Sequence, residues 1–459
     1  MAGIGFELRR MMRKNTVAGM VQTYAYAGLV GSGPWVISIV AILAIGLFAG
    51  HGSGRSLAVE QFQVSLSYLM AFSLILTSPL QLLFTRWAAD RLFEHRDDLI
   101  LQNLFGALAL TMAVSCCAAA WVLLLYFDGS LVYRLSMLAA FVLLCCIWMV
   151  QIFASAIKAY RQILLVFVLG YGITVGAALA MQRFGLVGLM SGFVIGQAIL
   201  LFTLLAQVVR QFPGPQGVDF QFLRRAQIFP ELALTGLLYN LGVWVDKFVF
   251  WNDSLTGVQV VGPLRASPVY DIPIFLAYLS IIPGMAVFLI RMEVDVAECC
   301  ARFYKEVTGG GTLARVTAAK QALIIAVKGG MVEMLKVQFL TTAVLVLMAT
   351  EVLRLFGISP LYRSLFCVNL AAVALQLIVL AVFNVLFYLD KRRSALLLRL
   401  LFLVANAALS LASMAAGPLF YGYGFALAVL LTAAVGLRCL SRALERLEYD
   451  TFMLQAVDQ

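Results

Sequence analysis

A chain of 459 residues that is 63% apolar and only 12% charged lies far from soluble domains, which are about half apolar and about a quarter charged. Composition therefore excludes an ordinary soluble enzyme and predicts an all-α integral membrane protein. The formal net charge of +10 would suit nucleic acid, but the placement of the basic residues gives it another meaning, set out below.

A helix needs about 20 mostly apolar residues to cross the hydrocarbon core. Twelve stretches qualify, at 22–49, 62–84, 104–126, 137–157, 163–182, 186–209, 228–250, 269–290, 337–356, 364–388, 395–416 and 418–437. A basic amphipathic segment, 1–21, precedes the first. It feeds a full-length span, so the first helix is expected to act as an uncleaved anchor. That span opens with "AYAGLVGSGPWVIS" (25–38), which carries Gly28, Gly31, Gly33 and Pro34. Proline removes a helix hydrogen bond and crowds the preceding turn, whereas glycines let a neighbouring backbone approach. A functional bend at Gly33-Pro34 and plain helix packing are both consistent with this pattern.

The second span contains Pro79 and Gln81 and ends near Arg86 and Arg91; the fourth contains Gln151. After six spans comes "RQFPGPQGVDFQFLRR" (210–225), polar and rich in Pro and Gly. It divides the chain into a first six-helix bundle (22–209), a linker (210–227), a second bundle (228–437) and a tail (438–459). Transporters are often built from such repeats, with the substrate path at their interface. The first helices of the halves echo each other: "GPWV" at 33–36 aligns with "GVWV" at 242–245. Pro79 precedes Arg86 by seven residues and Pro283 precedes Arg291 by eight, at equivalent spans. Pro79 and Pro283 are therefore further candidate bends.

The seventh span, "LYNLGVWVDKFVFWND", holds Asp246 and Lys247. Ionisable groups inside spans are costly and mark functional sites by default; alternatively Lys247 snorkels to the interface and Asp246 pairs locally. Arg265 and Asp271 flank the eighth span. With Asp246 and Lys247 they are expected to form a mixed-charge gate at the outer mouth. Asp271 lies in "SPVYDIPIF", predicted to be irregular. At the opposite side Arg86, Arg91 and Arg291 form a candidate cytoplasmic mouth for phosphate or acidic partners, or else simply fix topology. Tyr239, Asn240, Gln81, Gln151, Gln197, Asn369 and Gln376 could hydrogen-bond a sugar or a neighbouring helix. The longest loop, 291–336, reads as basic amphipathic helical pieces broken at Gly309–Gly311 and Gly329–Gly330, able to dock a partner or lie on the membrane.

Orientation follows from Lys and Arg. With both termini cytoplasmic, 26 of the 33 basic residues fall on the cytoplasmic side, six in outer loops, and Lys247 within a span. The positive charge is thus a topology signal, and no nucleic-acid partner is expected. Six of the eight cysteines form vicinal pairs. Adjacent helix residues point about 100° apart, a poor metal clamp, so the cysteines read as small apolar packing residues. Walker, H-E-x-x-H and G-x-S-x-G motifs are absent, and neither catalysis nor a cofactor or metal is expected.

The opening "MAGIGFELRRMMRK", the following "YAYAGLVGSGPWVISI" and "NLGVWVDKFVFW" closely resemble the PelG family of inner-membrane exopolysaccharide transporters, along the whole chain. That resemblance implies the fold of the multidrug/oligosaccharidyl-lipid/polysaccharide flippase superfamily: two six-helix bundles about a central cavity, with bent first and seventh helices. It also implies a bacterial inner-membrane location and a polymer rich in N-acetylgalactosamine. The implied partners are a cytoplasmic PelF-like glycosyltransferase and PelD- and PelE-like membrane proteins. It carries over no site residues. Residues and resemblance together predict polysaccharide export. The rivals are an ion-coupled antiporter or lipid-linked oligosaccharide flippase of the same fold, and a scaffold that recruits the transferase.

Overall fold

The computed structural model describes residues 39–41, 44–46, 48, 57–154, 160–212, 214–215, 217–224 and 229–453. The candidate bend at Gly33-Pro34, and with it the "GPWV" half of the internal echo, lies outside them. Among the described residues nine helical stretches are long and apolar enough to cross a membrane, or ten if one bent pair counts as a single span.

The chain divides into two compact units, one comprising Gly33–Trp244 with Phe250–Pro268, the other holding Val245–Val249 with Val269–Gln459. The first unit contains α1 (Leu57–Phe93), α2 (Ile100–Tyr126), α3 (Leu131–Ala154), α4 (Tyr160–Met181), α5 (Gly185–Gln211) and most of α6 (Pro230–Asn252). A short antiparallel hairpin, β1 (Val258–Val261) and β2 (Leu264–Ala266), follows α6. α4 and α5 pack on each other most intimately because Gly192 and Gly196, one helical turn apart, face the α4 backbone at Ala178 and Thr174; a Cβ at either glycine would collide with it. Close approach of this kind lets van der Waals contact replace the hydrophobic drive that a bilayer does not supply.

An aromatic knot closes one end of this unit. The Phe84 ring centroid lies 5.6 Å from Trp87, 5.5 Å from Phe153 and 5.2 Å from Phe222. Phe222 comes from the segment expected to be a free linker. It is 1% exposed, and its neighbour Gln221 donates its backbone N–H to Asn103 Oδ1 at 2.7 Å. The polar spacer is therefore built into the first unit at Asp219–Phe222, where Asp219 N–H also bonds the Gln102 carbonyl at 3.1 Å.

α1 runs unbroken through Pro79. Proline cannot donate to the carbonyl four residues back; that carbonyl, Ile75 O, instead accepts the Ser78 hydroxyl at 2.9 Å. A local substitute thus keeps the helix continuous through this candidate bend.

The second unit contains α7 (Pro268–Leu279), α8 (Ile282–Ile290), α9 (Ala297–Thr308), α10 (Leu313–Leu347), α11 (Ala349–Leu355), α12 (Arg363–Tyr388), α13 (Arg392–Ala415), α14 (Tyr423–Glu445) and α15 (Leu447–Met453). "SPVYDIPIF" is helical rather than irregular: α7 starts at Pro268 and carries Pro273 inside it. The direction changes by 43° between α7 and the run that starts at Ile282, with Pro283 in the first turn of α8.

The expected loop 291–336 is almost wholly helical. Arg291–Val296 forms a π-helical segment joining α8 to α9, and α10 passes through Gly329–Gly330 without interruption. Gly330 permits this, because a Cβ there would strike Met292 and Arg291 of the π segment. The helix expected over 337–356 accordingly starts at Leu313 and stops at Leu347. Its 35 residues measure about 52 Å at about 1.5 Å per residue, against about 30 Å of hydrocarbon. Most of its exposed apolar positions, Val332, Leu335, Phe339, Leu340, Val344 and Leu347, lie in its C-terminal half, with Leu313 and Ile325 nearer its start. The helix is therefore longer than a single span needs, and its N-terminal part carries Arg315 and Lys320.

Candidate functional site

Asp246 and Lys247 sit two turns before the end of α6, in the five residues that belong to the second unit. Consecutive helix residues diverge by about 100°, yet the lysine stem turns back on its neighbour. Its Nζ lies 3.2 Å from Asp246 Oδ1 and 3.1 Å from Oδ2. Both side chains are removed from solvent, at 0% and 1% exposure, so Lys247 does not snorkel.

The carboxylate has two further donors. Tyr270 of α7 donates its hydroxyl to Oδ2 at 2.7 Å, and Asn406 of α13 donates Nδ2 to Oδ1 at 3.3 Å. The Asn406 carbonyl oxygen accepts the Ser410 hydroxyl at 3.0 Å, one turn along α13. Tyr270, Asn406 and Ser410 are themselves buried. On its other side the ammonium meets the rings of Tyr278 and Phe425, 5.3 Å and 5.5 Å from their centroids. Two opposite charges taken out of water survive only when extra hydrogen bonds satisfy them. Here α6, α7 and α13 supply these bonds, and α14 adds an aromatic face.

The remaining candidates are placed differently. Asp271 follows Tyr270 in the first turn of α7 and is half-buried. Arg265 acts as a clamp on the hairpin: its guanidinium donates to the carbonyls of Asp253 and Gly257 at 3.1 and 2.8 Å. The Tyr68 hydroxyl donates to the Arg265 carbonyl at 2.9 Å and accepts its N–H at 3.2 Å. The Tyr68 ring stacks on Trp251 with centroids 4.5 Å apart. Asp253 caps the same loop. Partial burial works to raise its carboxyl, but the backbone N–H groups of Thr256, Leu255 and Ser254 and the Thr256 hydroxyl outweigh this and hold it below the ordinary 3.8.

In the first unit a polar strip runs between α1 and α3. Gln81 Nε2 donates to the Thr77 hydroxyl at 2.8 Å, and Trp148 Nε1 donates to the Ser73 hydroxyl at 3.0 Å. Gln151, one turn beyond Trp148, keeps a buried Oε1 without a hydrogen-bond partner among the described residues. Asn240 is satisfied inside α6 by the Gly236 carbonyl at 3.3 Å, and Tyr239 beside it is half-buried. The arginines of the candidate cytoplasmic mouth each carry an ion pair. Arg86 meets Asp90 at 3.2 Å, Arg91 meets Glu94 at 2.9 Å, and Arg291 bridges Glu333 at 2.7 Å and Asp295 at 2.9 Å. Arg291 thereby ties the π segment to α10.

Tyr270, Asn406 and Ser410 were not among the sequence candidates. One signal pointed to the last two: Asn406, Ser410 and Ser413 recur at helical spacing on one face of an otherwise apolar span.

The chain matches, over residues 1–452, the model of a family described as "PelG: Putative exopolysaccharide Exporter (EPS-E)". No curated protein matches it. Solved transporters share the fold. One is an outward-facing multidrug resistance MATE family transporter of the MOP superfamily: 15% identity, TM-score 0.68, covering 93% of this chain and 96% of that one. Another is a MOP superfamily transporter from Pyrococcus furiosus, described as having a binding pocket of reversed polarity: 13% identity, TM-score 0.62, with 93% and 96% covered. A third is a MATE protein in the straight conformation: 13% identity, TM-score 0.65, with 94% and 97% covered.

Proposed function

The chain belongs to the PelG family of exopolysaccharide exporters, and from that premise we propose that it passes a growing polymer across the bacterial cytoplasmic membrane as a cytoplasmic glycosyltransferase extends it. The family match along 1–452 carries this reading, and the multi-pass transporter fold supports it. The cargo in this reading is a neutral chain rich in N-acetylgalactosamine, made by a PelF-like transferase held by PelD- and PelE-like membrane proteins. The 26-to-6 partition of basic residues supports cytoplasmic termini. Chain growth supplies the drive, and Asp246 with Lys247 forms the charged element that the export cycle depends on, because no other described lysine is as deeply buried against a carboxylate.

The test is secretion. In a strain lacking this protein, complementation with D246A or K247A is expected to cut extracellular polymer at least about tenfold at equal membrane abundance, since removing one partner strands a buried charge at about 3–5 kcal/mol. Wild-type secretion by both variants would reject the assigned role for the pair.

A further inference from the structure

We propose that the Lys247 ammonium is a built-in cation seated on the Asp246 carboxylate, and that removing it opens this seat to sodium. The inference concerns the seat itself and holds whatever polymer the protein moves.

The geometry is that of a bound cation. The ammonium lies within 3.2 Å of both carboxylate oxygens and has two aromatic faces beyond it, an arrangement that favours positive charge. The anion is equally specific. Its other neighbours, the Tyr270 hydroxyl and the Asn406 amide, approach at 2.7 and 3.3 Å, with the Ser410 hydroxyl behind Asn406. Each of these groups carries an oxygen. An amide turned about its terminal bond presents its carbonyl in place of its NH2. Once the ammonium is gone, the Asp246 carboxylate, the Tyr270 hydroxyl and a turned Asn406 amide can therefore offer a small hard cation the oxygen ligands it prefers.

A carboxylate at 0% exposure is very costly without a counter-charge. Lys247 supplies that charge by covalent tether from the next residue, and a tethered ligand acts at an effective concentration in the millimolar range or above. A free monovalent ion has to displace the ammonium into an apolar surround, at the cost of a second buried charge. The intact protein therefore leaves no vacancy for an external cation at Asp246. A shortened side chain creates one, with the carboxylate already in place.

Thermal unfolding of the purified full-length protein in detergent tests this, comparing sodium chloride with N-methyl-D-glucamine chloride at equal ionic strength. Wild type is expected to melt at the same temperature in both. K247A is expected to melt at least about 2 °C higher in sodium, as mass action on a folded-state site requires. The double variant D246N/K247A, lacking the anion, and K247M, which fills the space with an uncharged chain, are expected to lose that response. A folded K247A indifferent to sodium overturns the proposal. So does a sodium-specific rise in wild type that D246N abolishes, since the seat would then already be open. K247A that is recoverable only in sodium supports it, and K247A recoverable in neither salt overturns it.

Discussion

Asp246 shows why a single side chain in a bilayer protein cannot be weighed alone. Its charge is tolerable because Lys247, Tyr270 and Asn406 all donate to it. Replacing Tyr270 by Phe keeps the ring and its packing but removes the shortest of these bonds. A hydrogen bond to an ionised group contributes about 1.5–3 kcal/mol. Y270F is therefore expected to lower the melting temperature of the purified protein by several degrees, while Y278F, on the aromatic side of the ammonium, changes it less. Equal melting of Y270F and wild type would show that the phenol does not hold the carboxylate. Asp246 and Lys247 stand out in the sequence because ionisable residues are rare within apolar spans. Tyr270 and Asn406 do not, because their partnership is made only by folding, across 24 and 160 residues. Pro79 is the converse case: the residue is visible in the sequence, but that the Ser78 hydroxyl satisfies Ile75 O locally is visible only in the fold.

Helices were readable from apolar length, yet their ends and interruptions depended on neighbours. Gly329–Gly330 looks like a break in isolation; against the π segment Gly330 is a point of close contact within one continuous helix. "FPGPQGVDFQF" looks like a loose spacer, but Phe222 fills a hole beside Phe84 that exists only in the folded first unit. Arg265, a candidate for the gate, also braces the hairpin through the Asp253 and Gly257 carbonyls. The Asp253 carboxylate, which accepts the Leu255 and Thr256 N–H groups of the same loop, has a pH signature. A folded carboxyl held below its ordinary 3.8 contributes stability that is fully present above that value and is lost as the pH falls through the lowered one. At pH 7, D253A should exchange the Leu255 and Thr256 amide hydrogens faster than wild type. The two should converge as the pH falls through the lowered value, where the wild-type carboxyl also takes up a proton. A difference that persists undiminished below that value would place the stabilisation in packing and not in the ionised group.

For the whole chain, family and fold give different kinds of information. The family match over 1–452 identifies exopolysaccharide export. Likeness at 12–15% identity to MATE and MOP transporters fixes the architecture and leaves the driving force open, because one fold serves many functions. The decisive difference lies in what neutralises buried charge. A carrier coupled to an ion gradient needs a site that the ion enters and leaves in each cycle, since a ligand shifts a conformational equilibrium only through its differential affinity for the two states. In the second unit the buried carboxylate already holds an ammonium that cannot leave. Polymer extension, which advances the chain by one sugar at each catalytic step on one side of the membrane, needs no such ion. In sealed inverted vesicles containing this protein and the proposed glycosyltransferase, collapse of the sodium gradient by an ionophore is therefore expected to leave polymer uptake within about twofold of the untreated rate. Withholding the sugar nucleotide is expected to stop uptake altogether. Loss of uptake on sodium collapse, with transferase activity unchanged, would assign the work to an ion and return the protein to the antiporter reading of its fold.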